Sequence, residues 1–324
     1  MTPPPGLPEA DQGSVADAPR GNWVDRFAPP ATRRYLRLSR ADRPIGTWLL
    51  FIPCLWGVAL AAASDGVRAW DLWIVLGCGL GAILMRGAGC TWNDLTDRHI
   101  DAEVARTRNR PLPAGQVTPK QALVWMVVQA LLAACILLTF TATAIALGIA
   151  SLALVAVYPF AKRFTWWPQV FLGLAFNWGA LVAWAAHAGS IGAPAVFLWL
   201  AGIVWTLFYD TIYAHQDKDD DALIGVKSTA RLFGDAGTAR WMLGFLVATV
   251  VLLMVAVVLA LTVTGVSPLA LLLGLSGVWG FGLHLGWQLR HLDTTDAENC
   301  LRLFRSNRDA GLVLALFLAG AAVV

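Results

Sequence analysis

Four side chains with metal-binding oxygens are spaced by one, three and four positions in the stretch NDLTDRHID. They are Asn93, Asp94, Asp97 and Asp101. If a helix runs through this stretch, residues three and four apart lie on the same side of it, so these side chains project in similar directions. Carboxylates so close together repel one another unless a cation lies among them. The spacing therefore indicates a divalent-cation site, with a solvated acidic helix end balanced by nearby arginines as the open alternative.

A second acidic stretch, YDTIYAHQDKDDD, carries Asp210, Asp217 and Asp221 at intervals of seven and four. On an α-helix, these three side chains would fall within about 40° of one another. Asp210 lies at the predicted membrane boundary, where an ionised carboxylate is costly and usually functional. His215 lies inside this stretch, and the sequence assigns no role to it. The presence of a second acidic stretch at the end of another predicted span favours the interpretation that the two stretches together form one metal-dependent site.

The chemistry of such a site follows from its ligands. Oxygen-only ligands suit Mg²⁺, which typically takes one or two carboxylates, keeps bound water and shares the phosphates of a substrate. Basic side chains interleaved with the acids are the complement expected for a diphosphate. The candidate diphosphate-binding residues are Arg106, Arg110, Lys162, Arg163 and Lys227. Facing each other across a helical bundle, the two stretches would hold a metal-bridged diphosphate.

The elements that position these residues are membrane-spanning helices. Hydrophobic residues make up 57% of the 324-residue chain and charged residues only 14%, against roughly 25% charged residues in soluble domains. A span of the hydrocarbon core needs about 20 apolar residues, and nine segments approach that length. They are residues 45–63, 70–91, 120–140, 142–158, 169–188, 193–214, 240–262, 267–288 and 310–324. The last segment is short, so a count of eight spans is the alternative.

The basic residues predict the orientation of these spans. All of the 24 lysines and arginines except Arg68 and Arg86 fall before the first predicted span or after the second, fourth, sixth and eighth. Because positive charge is concentrated on the inner face of a membrane protein, the N-terminus and these four connections are predicted to be cytoplasmic. Both acidic stretches belong to those connections.

The chain divides by composition into a tail, residues 1–44, and a transmembrane domain, residues 45–324. The start of the tail is rich in Pro, Gly, Ala and Asp, which predicts a flexible segment, and its end, RRYLRLSRADRP, is predicted to be a basic helix on the membrane surface or ordinary topology-setting charge. Five scattered cysteines predict neither a disulfide nor a thiolate metal site. His187 is interpreted as a packing residue, and Asn177 as either a cavity-lining residue or a helix–helix hydrogen bond.

The two acidic stretches resemble the paired aspartate motifs of the membrane-embedded aromatic prenyltransferases. The segments RADRPIGTWLLFIPCLWGVALA, YPFAKRFTWWPQVFLG and YDTIYAHQDKDDD are similar, in combination, to the branch of that superfamily that prenylates 4-hydroxybenzoate in ubiquinone biosynthesis. The first motif alone would not separate this branch from haem, menaquinone or chlorophyll prenyltransferases. The resemblance covers the chain from about Arg40 to its last helix.

The resemblance implies an all-α membrane protein with about nine transmembrane helices around a central cavity, capped on the cytoplasmic side by residues 93–119 and 215–239. It also implies Mg²⁺ as cofactor, polyprenyl diphosphate and 4-hydroxybenzoate as substrates, and a bacterial or mitochondrial inner membrane. Carried over by position, Asn93, Asp94, Asp97 and Asp101 hold one ion, and Asp217 and Asp221 the other, with Asp210 a further candidate ligand. Among these residues, Asp94, Asp97 and Asp217 are the expected catalytic acids.

The carboxylate of the acceptor needs a cationic partner, and Arg43 and Arg163 are the candidates. Either arginine is open to another role, such as binding diphosphate or marking the inner face. Two further hypotheses remain open: a prenyltransferase with another acceptor, such as a naphthoate, homogentisate, haem or chlorophyllide, and a Mg²⁺ transporter, because acids at span ends also mark ion paths. The transporter is disfavoured because no acid lies near the middle of a predicted span.

Overall fold

Most of the described residues lie in helices. A computed structural model describes residues 18–19, 21–103, 107–262 and 266–324, and within these residues it contains no β-strand. The helices are α1 (Trp23–Phe27), α2 (Pro30–Leu38), α3 (Ile45–Asp65), α4 (Trp70–Glu103), α5 (Pro119–Leu137), α6 (Ala142–Val157), α7 (Ala161–Phe164), α8 (Pro168–Phe176), α9 (Trp178–Ala188), α10 (Ala193–Ala214), α11 (Lys218–Ile224), α12 (Thr229–Leu261), α13 (Pro268–Arg290) and α14 (Ala297–Ala321). Short 3₁₀ turns, Tyr158–Phe160 and His215–Asp217, precede α7 and α11.

Eight helical segments of the described chain are long and apolar enough to cross a membrane, which confirms the all-α membrane fold. They correspond to the first eight segments predicted from hydropathy. The ninth, residues 310–324, lies mostly in α14, whose first half carries charged residues such as Arg305, Arg308 and Asp309. The apolar part of α14 is therefore shorter than a membrane-spanning helix. The central cavity and the cap stay predictions.

The backbone forms two compact units, of which the first comprises residues Met1–Thr47 and Leu80–Ile136. Its buried cluster contains Leu38 at the end of α2 and Ala122 on α5. Ser39 accepts a hydrogen bond from Trp125 Nε1 at 2.8 Å and donates one to Gln129 Oε1 at 3.1 Å. The first half of the basic segment, residues 33–38, thus lies in α2, and Ser39 just after it is hydrogen-bonded to α5, whereas residues 39–43 form turns rather than a helix. The division of the chain at residue 44 stays a prediction.

The second unit comprises Trp48–Gly79 and Leu137–Val324. Within it, α10 packs against α8, α12 and α14, while α13 packs against α12 and α14. Large aromatic side chains fill its core, and two of them are satisfied by hydrogen bonds to α14. Trp56 Nε1 donates to Gly311 O at 2.8 Å, and Trp205 Nε1 donates to Asn307 Oδ1 at 2.9 Å. Since a buried indole N–H needs an acceptor, these bonds fix the position of α14 in the unit.

The fifth span is broken in its middle at Asn177, where α8 ends and α9 begins. The side-chain amide of this buried residue donates to Gly173 O at 2.9 Å and to Thr206 Oγ1 of α10 at 2.8 Å. Of the two roles predicted for Asn177, the helix–helix hydrogen bond is therefore the one present. Gly202 leaves room for it, because a Cβ there would lie 2.2 Å from Asn177 Oδ1.

His187 joins the ends of three helices of the second unit. Its Nδ1 lies 2.5 Å from Asp71 Oδ1 at the start of α4, and its Nε2 lies 2.6 Å from Asp65 Oδ1 at the end of α3. Arg68, between those helices, contacts Asp65 Oδ2 at 2.8 Å and donates a hydrogen bond to the backbone oxygen of His187. His187 is buried, but its interpretation as a packing residue was incomplete, because the imidazole bridges two carboxylates.

Candidate active site

The first acidic motif lies on the last turns of α4, which continues to Glu103. The helical continuation assumed from the sequence is thus confirmed. The side chains of Asp94 and Asp97 are fully buried, Asp101 is nearly so, and Asn93 is half-buried. Buried carboxylates require partners, because an isolated ionised carboxylate away from water is strongly destabilising. The burial therefore argues against a simple solvated helix end.

Two arginines of the first unit neutralise this motif. Arg40 Nη2 lies 2.5 Å from Asp94 Oδ1, while Arg110 Nη1 lies 2.8 Å from Asp101 Oδ2 and 3.3 Å from Asp94 Oδ1. Arg110 was predicted to belong to the site, and it contacts two of the predicted ligands. Arg40 was missed, because basic residues before a first span are expected for topology alone. It has a backbone φ of 59°, and such conformations of non-glycine residues concentrate at functional sites.

The oxygen atoms of the first motif fit a divalent cation. Asp94 Oδ2 is buried and, within the described part of the chain, has no hydrogen-bond partner. No group of three or more His, Cys, Asp or Glu side chains positioned to hold a metal occurs among the described residues. Magnesium does not require such a group, since one or two carboxylates plus waters and substrate phosphates complete its shell. The donor set therefore suits an ion that arrives with a diphosphate.

Two more arginines of the first unit, Arg43 and Arg86, lie close to the start of α3. Arg43, a predicted acceptor-binding residue, is buried just before α3, with Nε 3.7 Å from Asp42 Oδ1. Arg86 lies within the apolar part of α4, where its guanidinium packs so closely against Gly46 that a Cβ there would lie 2.5 Å from Nη2. A charged side chain inside a span is expensive and usually functional. The sequence signal for Arg86 was its place inside a predicted span.

The second motif does not form one continuous α-helix. Asp210 lies on α10, Asp217 ends the 3₁₀ turn, and Asp221 lies on α11. The prediction that the three acids lie within about 40° of one another assumed a regular α-helix and is therefore wrong as geometry. A 3₁₀ turn advances by about 120° per residue rather than 100°, so it changes the direction of every side chain that follows. All three acids are half-buried.

The predicted bases of the second unit lie on two neighbouring segments. Lys227 donates its backbone N–H to Lys162 O at 3.2 Å, so the connection before α12 lies against α7. Arg231 Nη1 donates a hydrogen bond to Asp221 O at 3.2 Å, which ties α12 to α11. The exposed Arg163 lies over the ring of Phe160, with Cζ 5.2 Å from its centroid. Lys162 and Lys227 are thus brought together, whereas Arg106 lies outside the described residues.

Sequence reasoning also left His215 without a role. Its side chain is fully buried, and Nε2 lies 3.0 Å from Thr238 Oγ1 on α12. A lone histidine within an acidic stretch carries no sequence signal for such a contact, because the partner lies 23 residues further along the chain.

The chain was compared with known protein families and with curated proteins. The model of the UbiA prenyltransferase family matches residues 50–320. A protein of Rattus norvegicus named 4-hydroxybenzoate polyprenyltransferase, mitochondrial, is 49% identical over 295 residues, covering 90% of this chain and 76% of that protein. Proteins of the same name from Homo sapiens and Arabidopsis thaliana are 45% and 44% identical, covering 97% and 95% of this chain and 81% and 74% of their own lengths.

Solved structures share the fold. A UbiA homolog from Archaeoglobus fulgidus bound to GPP and Mg²⁺ aligns with a TM-score of 0.68 at 15% identity, covering 90% of this chain and all of that chain (100%). The apo structure of a UbiA homolog from Aeropyrum pernix K1 aligns with a TM-score of 0.62 at 22% identity, covering 85% and 96%. At these identities, the likeness establishes the arrangement of helices.

Proposed function

Because the chain belongs to the UbiA prenyltransferase family, we propose that it transfers a polyprenyl group from polyprenyl diphosphate to 4-hydroxybenzoate. The group is added to the ring carbon next to the hydroxyl, as a step of ubiquinone biosynthesis. The observation that carries this proposal is the identity of nearly half of all aligned residues, over most of the chain, with relatives named for that reaction. Residues 45–324 would form the catalytic domain and residues 1–44 an accessory tail.

The two acidic motifs are proposed to hold magnesium. Support comes from the burial of Asp94 and Asp97 on one helix and from the unpartnered Oδ2 of Asp94 among the described residues. The proposed ligands are Asn93, Asp94, Asp97 and Asp101 for one ion, and Asp217 and Asp221 for a second, with Asp210 nearby in sequence. When bound, magnesium supplies Lewis-acid neutralisation of the charge that develops on the leaving diphosphate.

The basic residues bind and orient the phosphate oxygens. Arginine suits this task because its planar guanidinium makes two parallel hydrogen bonds to one phosphate. Arg110 is placed for it, since it already contacts two carboxylates of the first motif. Lys162 and Lys227 offer ammonium groups on adjoining segments of the second unit. Arg106 and Arg163 complete the proposed set.

The reaction is an electrophilic aromatic substitution. The bond between the first prenyl carbon and the diphosphate oxygen breaks, and its electron pair leaves with the diphosphate. The ring carbon next to the phenol oxygen, made electron-rich by that oxygen, bonds to the prenyl carbon, and loss of the ring proton restores aromaticity. Because an allylic cation reacts with water, the apolar side chains of the spans are needed to exclude water from it.

The carboxylate of the acceptor is proposed to pair with an arginine. Arg43 is favoured over Arg163, because Arg43 is buried and a partly desolvated guanidinium gains more from a carboxylate than an exposed one. Arg86 is added as a third candidate, because it is a charged residue inside a span.

The sidedness of the site is proposed from the distribution of charge. Both motifs belong to the arginine- and lysine-rich connections, which the positive-inside bias assigns to the cytoplasmic face of a bacterial membrane or the equivalent matrix face of a mitochondrial one. The Rattus norvegicus relative is named as mitochondrial, which fits an inner-membrane location.

A comparison of three acceptors, each supplied separately, tests the proposed function. Membranes containing the protein are given a labelled polyprenyl diphosphate, Mg²⁺ and one of three acceptors: 4-hydroxybenzoate, a dihydroxynaphthoate or homogentisate. We expect prenylation of 4-hydroxybenzoate alone. Prenylation of another acceptor, with 4-hydroxybenzoate inert, would keep the family chemistry and overturn the substrate. Mg²⁺ uptake into proteoliposomes without any prenyl transfer would instead identify a transporter.

A further inference from the structure

His215 occupies the point where α10 ends and the second acidic motif begins. It is the first residue of the 3₁₀ turn that ends at Asp217, and its side chain is fully buried. The turn packs against α14. So does the end of α10 before it, where the ring centroids of Tyr213 and Phe304 of α14 are 4.5 Å apart. Asp217 therefore lies two residues after a residue that is anchored in the core of the second unit.

The hydrogen bond made by His215 has a defined direction. Thr238 Oγ1 lies 2.6 Å from Gly234 O and 3.0 Å from His215 Nε2. A backbone carbonyl only accepts, so the single hydroxyl proton of Thr238 points to Gly234. Toward the imidazole, the hydroxyl can then only accept, and His215 must donate from Nε2. The buried bond therefore requires the tautomer that carries its proton on Nε2, or the doubly protonated ring.

Thr238, the partner of His215, lies one turn after a kink in α12. Gly234 has φ of 60° and ψ of 178°, which interrupts the helical path one turn before Thr238. A residue with a side chain would be strained at that φ. On the other side of Asp217, Lys218 Nζ contacts both carboxylate oxygens of Asp235 at 2.8 Å. His215 before Asp217 and Lys218 after it are thus each tied to α12, the first by a buried hydrogen bond and the second by an exposed ion pair.

We propose that His215 is a positioning residue: by donating from Nε2 to Thr238, it fixes the turn that carries Asp217 and so sets the place of that carboxylate for a divalent cation. This inference rests on the proposed function, in which Asp217 is a metal ligand. The buried bond is the stronger of the two ties, because exposed ion pairs contribute little. Residues that orient a metal ligand typically change metal affinity by about 10- to 100-fold when they are removed.

Four substitutions separate the hydrogen bond from packing. His215→Gln keeps an N–H donor at about the position of Nε2, whereas His215→Leu keeps bulk without a donor. Thr238→Ser keeps the hydroxyl, whereas Thr238→Val keeps the shape without it. We expect His215→Leu and Thr238→Val to behave alike, and His215→Gln and Thr238→Ser to stay close to the unchanged protein.

The first measurement is the affinity of the purified full chain for Mn²⁺, obtained from the electron paramagnetic resonance signal of free Mn²⁺. The second is the Mg²⁺ dependence of turnover. His215→Leu and Thr238→Val should weaken Mn²⁺ binding by at least about tenfold and raise the half-saturating Mg²⁺ by a similar factor. The double variant should be no weaker than either single one, since both remove the same bond. Binding unchanged in His215→Leu and Thr238→Val, or equally weak in His215→Gln and His215→Leu, would overturn the proposal.

His284 provides a matched control. Its Nε2 lies 3.2 Å from Ser306 Oγ, a contact of the same kind between α13 and α14. His284→Leu should leave Mn²⁺ binding unchanged, so a loss there would mean that any broken interhelical bond weakens the site, contrary to the proposal. Measurements on the unchanged protein distinguish a failure of the proposed function from a failure of the proposed role of His215. If it neither binds Mn²⁺ nor transfers a prenyl group, the proposed function fails, whereas if it does both and His215→Leu matches it, only the role of His215 fails.

Discussion

The guanidinium of Arg40 lies 2.5 Å, Nη2 to Oδ1, from the carboxylate of Asp94, and both side chains are buried. The pair joins residues 54 positions apart, just before the first span and at the end of the second. Arg40 makes this contact with a left-handed backbone, φ 59°, which costs about 1–3 kcal/mol for a residue other than glycine. The ion pair and the Nη1 contact to Arg37 O offset that cost.

Breaking this pair should destabilise the first unit more than removing both partners. Arg40→Met removes the nearer of the two arginines that contact Asp94 Oδ1 and leaves Arg110, at 3.3 Å, beside the buried carboxylate, so we expect a loss of about 3 kcal/mol in the free energy of unfolding. Adding Asp94→Asn to Arg40→Met should restore part of that loss, because the buried charge that has lost its nearer partner is then removed. Thermal unfolding in detergent of the unchanged protein, the two single variants and the double variant gives the stability of each. Purely additive effects would show that the two groups do not interact in solution.

The two acidic motifs should both be needed for turnover. Asp97→Asn and Asp217→Asn each remove one charge and preserve side-chain size, so each should lower the rate by at least about a hundredfold, roughly 2.7 kcal/mol of transition-state stabilisation. Glu103→Gln serves as the control, because Glu103 is an exposed acid on the same helix as Asp97. Rates are compared at saturating substrates and Mg²⁺. Equal tolerance of all three changes would place the site elsewhere.

Substitution of the arginine that pairs with the acceptor carboxylate should raise the KM for the acceptor more than the KM for the prenyl donor. Arg43→Ala, Arg86→Ala and Arg163→Ala are assayed with 4-hydroxybenzoate and with the prenyl donor varied in turn. Loss of a buried partner of the carboxylate should raise the acceptor KM by at least about tenfold, while the donor KM changes less. The same variant should lose most of the preference for 4-hydroxybenzoate over 4-hydroxybenzamide. A rise in the donor KM alone would assign that arginine to diphosphate.

The start of α14 should be inert to thiol reagents. Cys300 is fully buried, its Sγ donates to Asp293 O at 3.3 Å, and burial raises the pKa of its thiol to about 11. Because the thiolate is the reactive form, iodoacetamide at pH 8.5 should alkylate Cys300 about a hundredfold more slowly in the native protein than in the chain unfolded in SDS. As the pH rises from about 9 to 11, the unfolded thiol ionises first, so this group favours unfolding over that interval. Mass spectrometry of the labelled peptide measures both rates, and equal rates would contradict the burial.

The sequence predicted the helices well because the thickness of a bilayer sets the length of an apolar segment. Eight of the nine predicted segments correspond to membrane-length helices in the described chain. The continuation of α4 through the first acidic motif was also predictable, since the spacing of three and four has the period of a helix. The second motif misled the same logic, because nothing in its composition marks the 3₁₀ turn at His215–Asp217.

Side-chain partners far apart in sequence were not predictable. The contacts of Arg40 with Asp94 and of His215 with Thr238 depend on how helices pack, and one sequence carries no local period that reports them. Asn177 illustrates the same limit, since its polarity within a span allowed two roles and only the neighbouring Thr206 decides between them. Basic residues before the first span were explained by topology, which hid Arg40 among them.

The most direct measurement is the structure of the product formed by the purified protein. Protein in lipid nanodiscs is incubated with polyprenyl diphosphate, 4-hydroxybenzoate and either Mg²⁺ or a chelator, and the product is identified by nuclear magnetic resonance. We predict one product, 4-hydroxybenzoate carrying the prenyl chain on the carbon next to the hydroxyl, formed with Mg²⁺, absent after chelation and restored by added Mg²⁺. A prenyl ester of the carboxylate, or full activity after thorough chelation, would contradict the account.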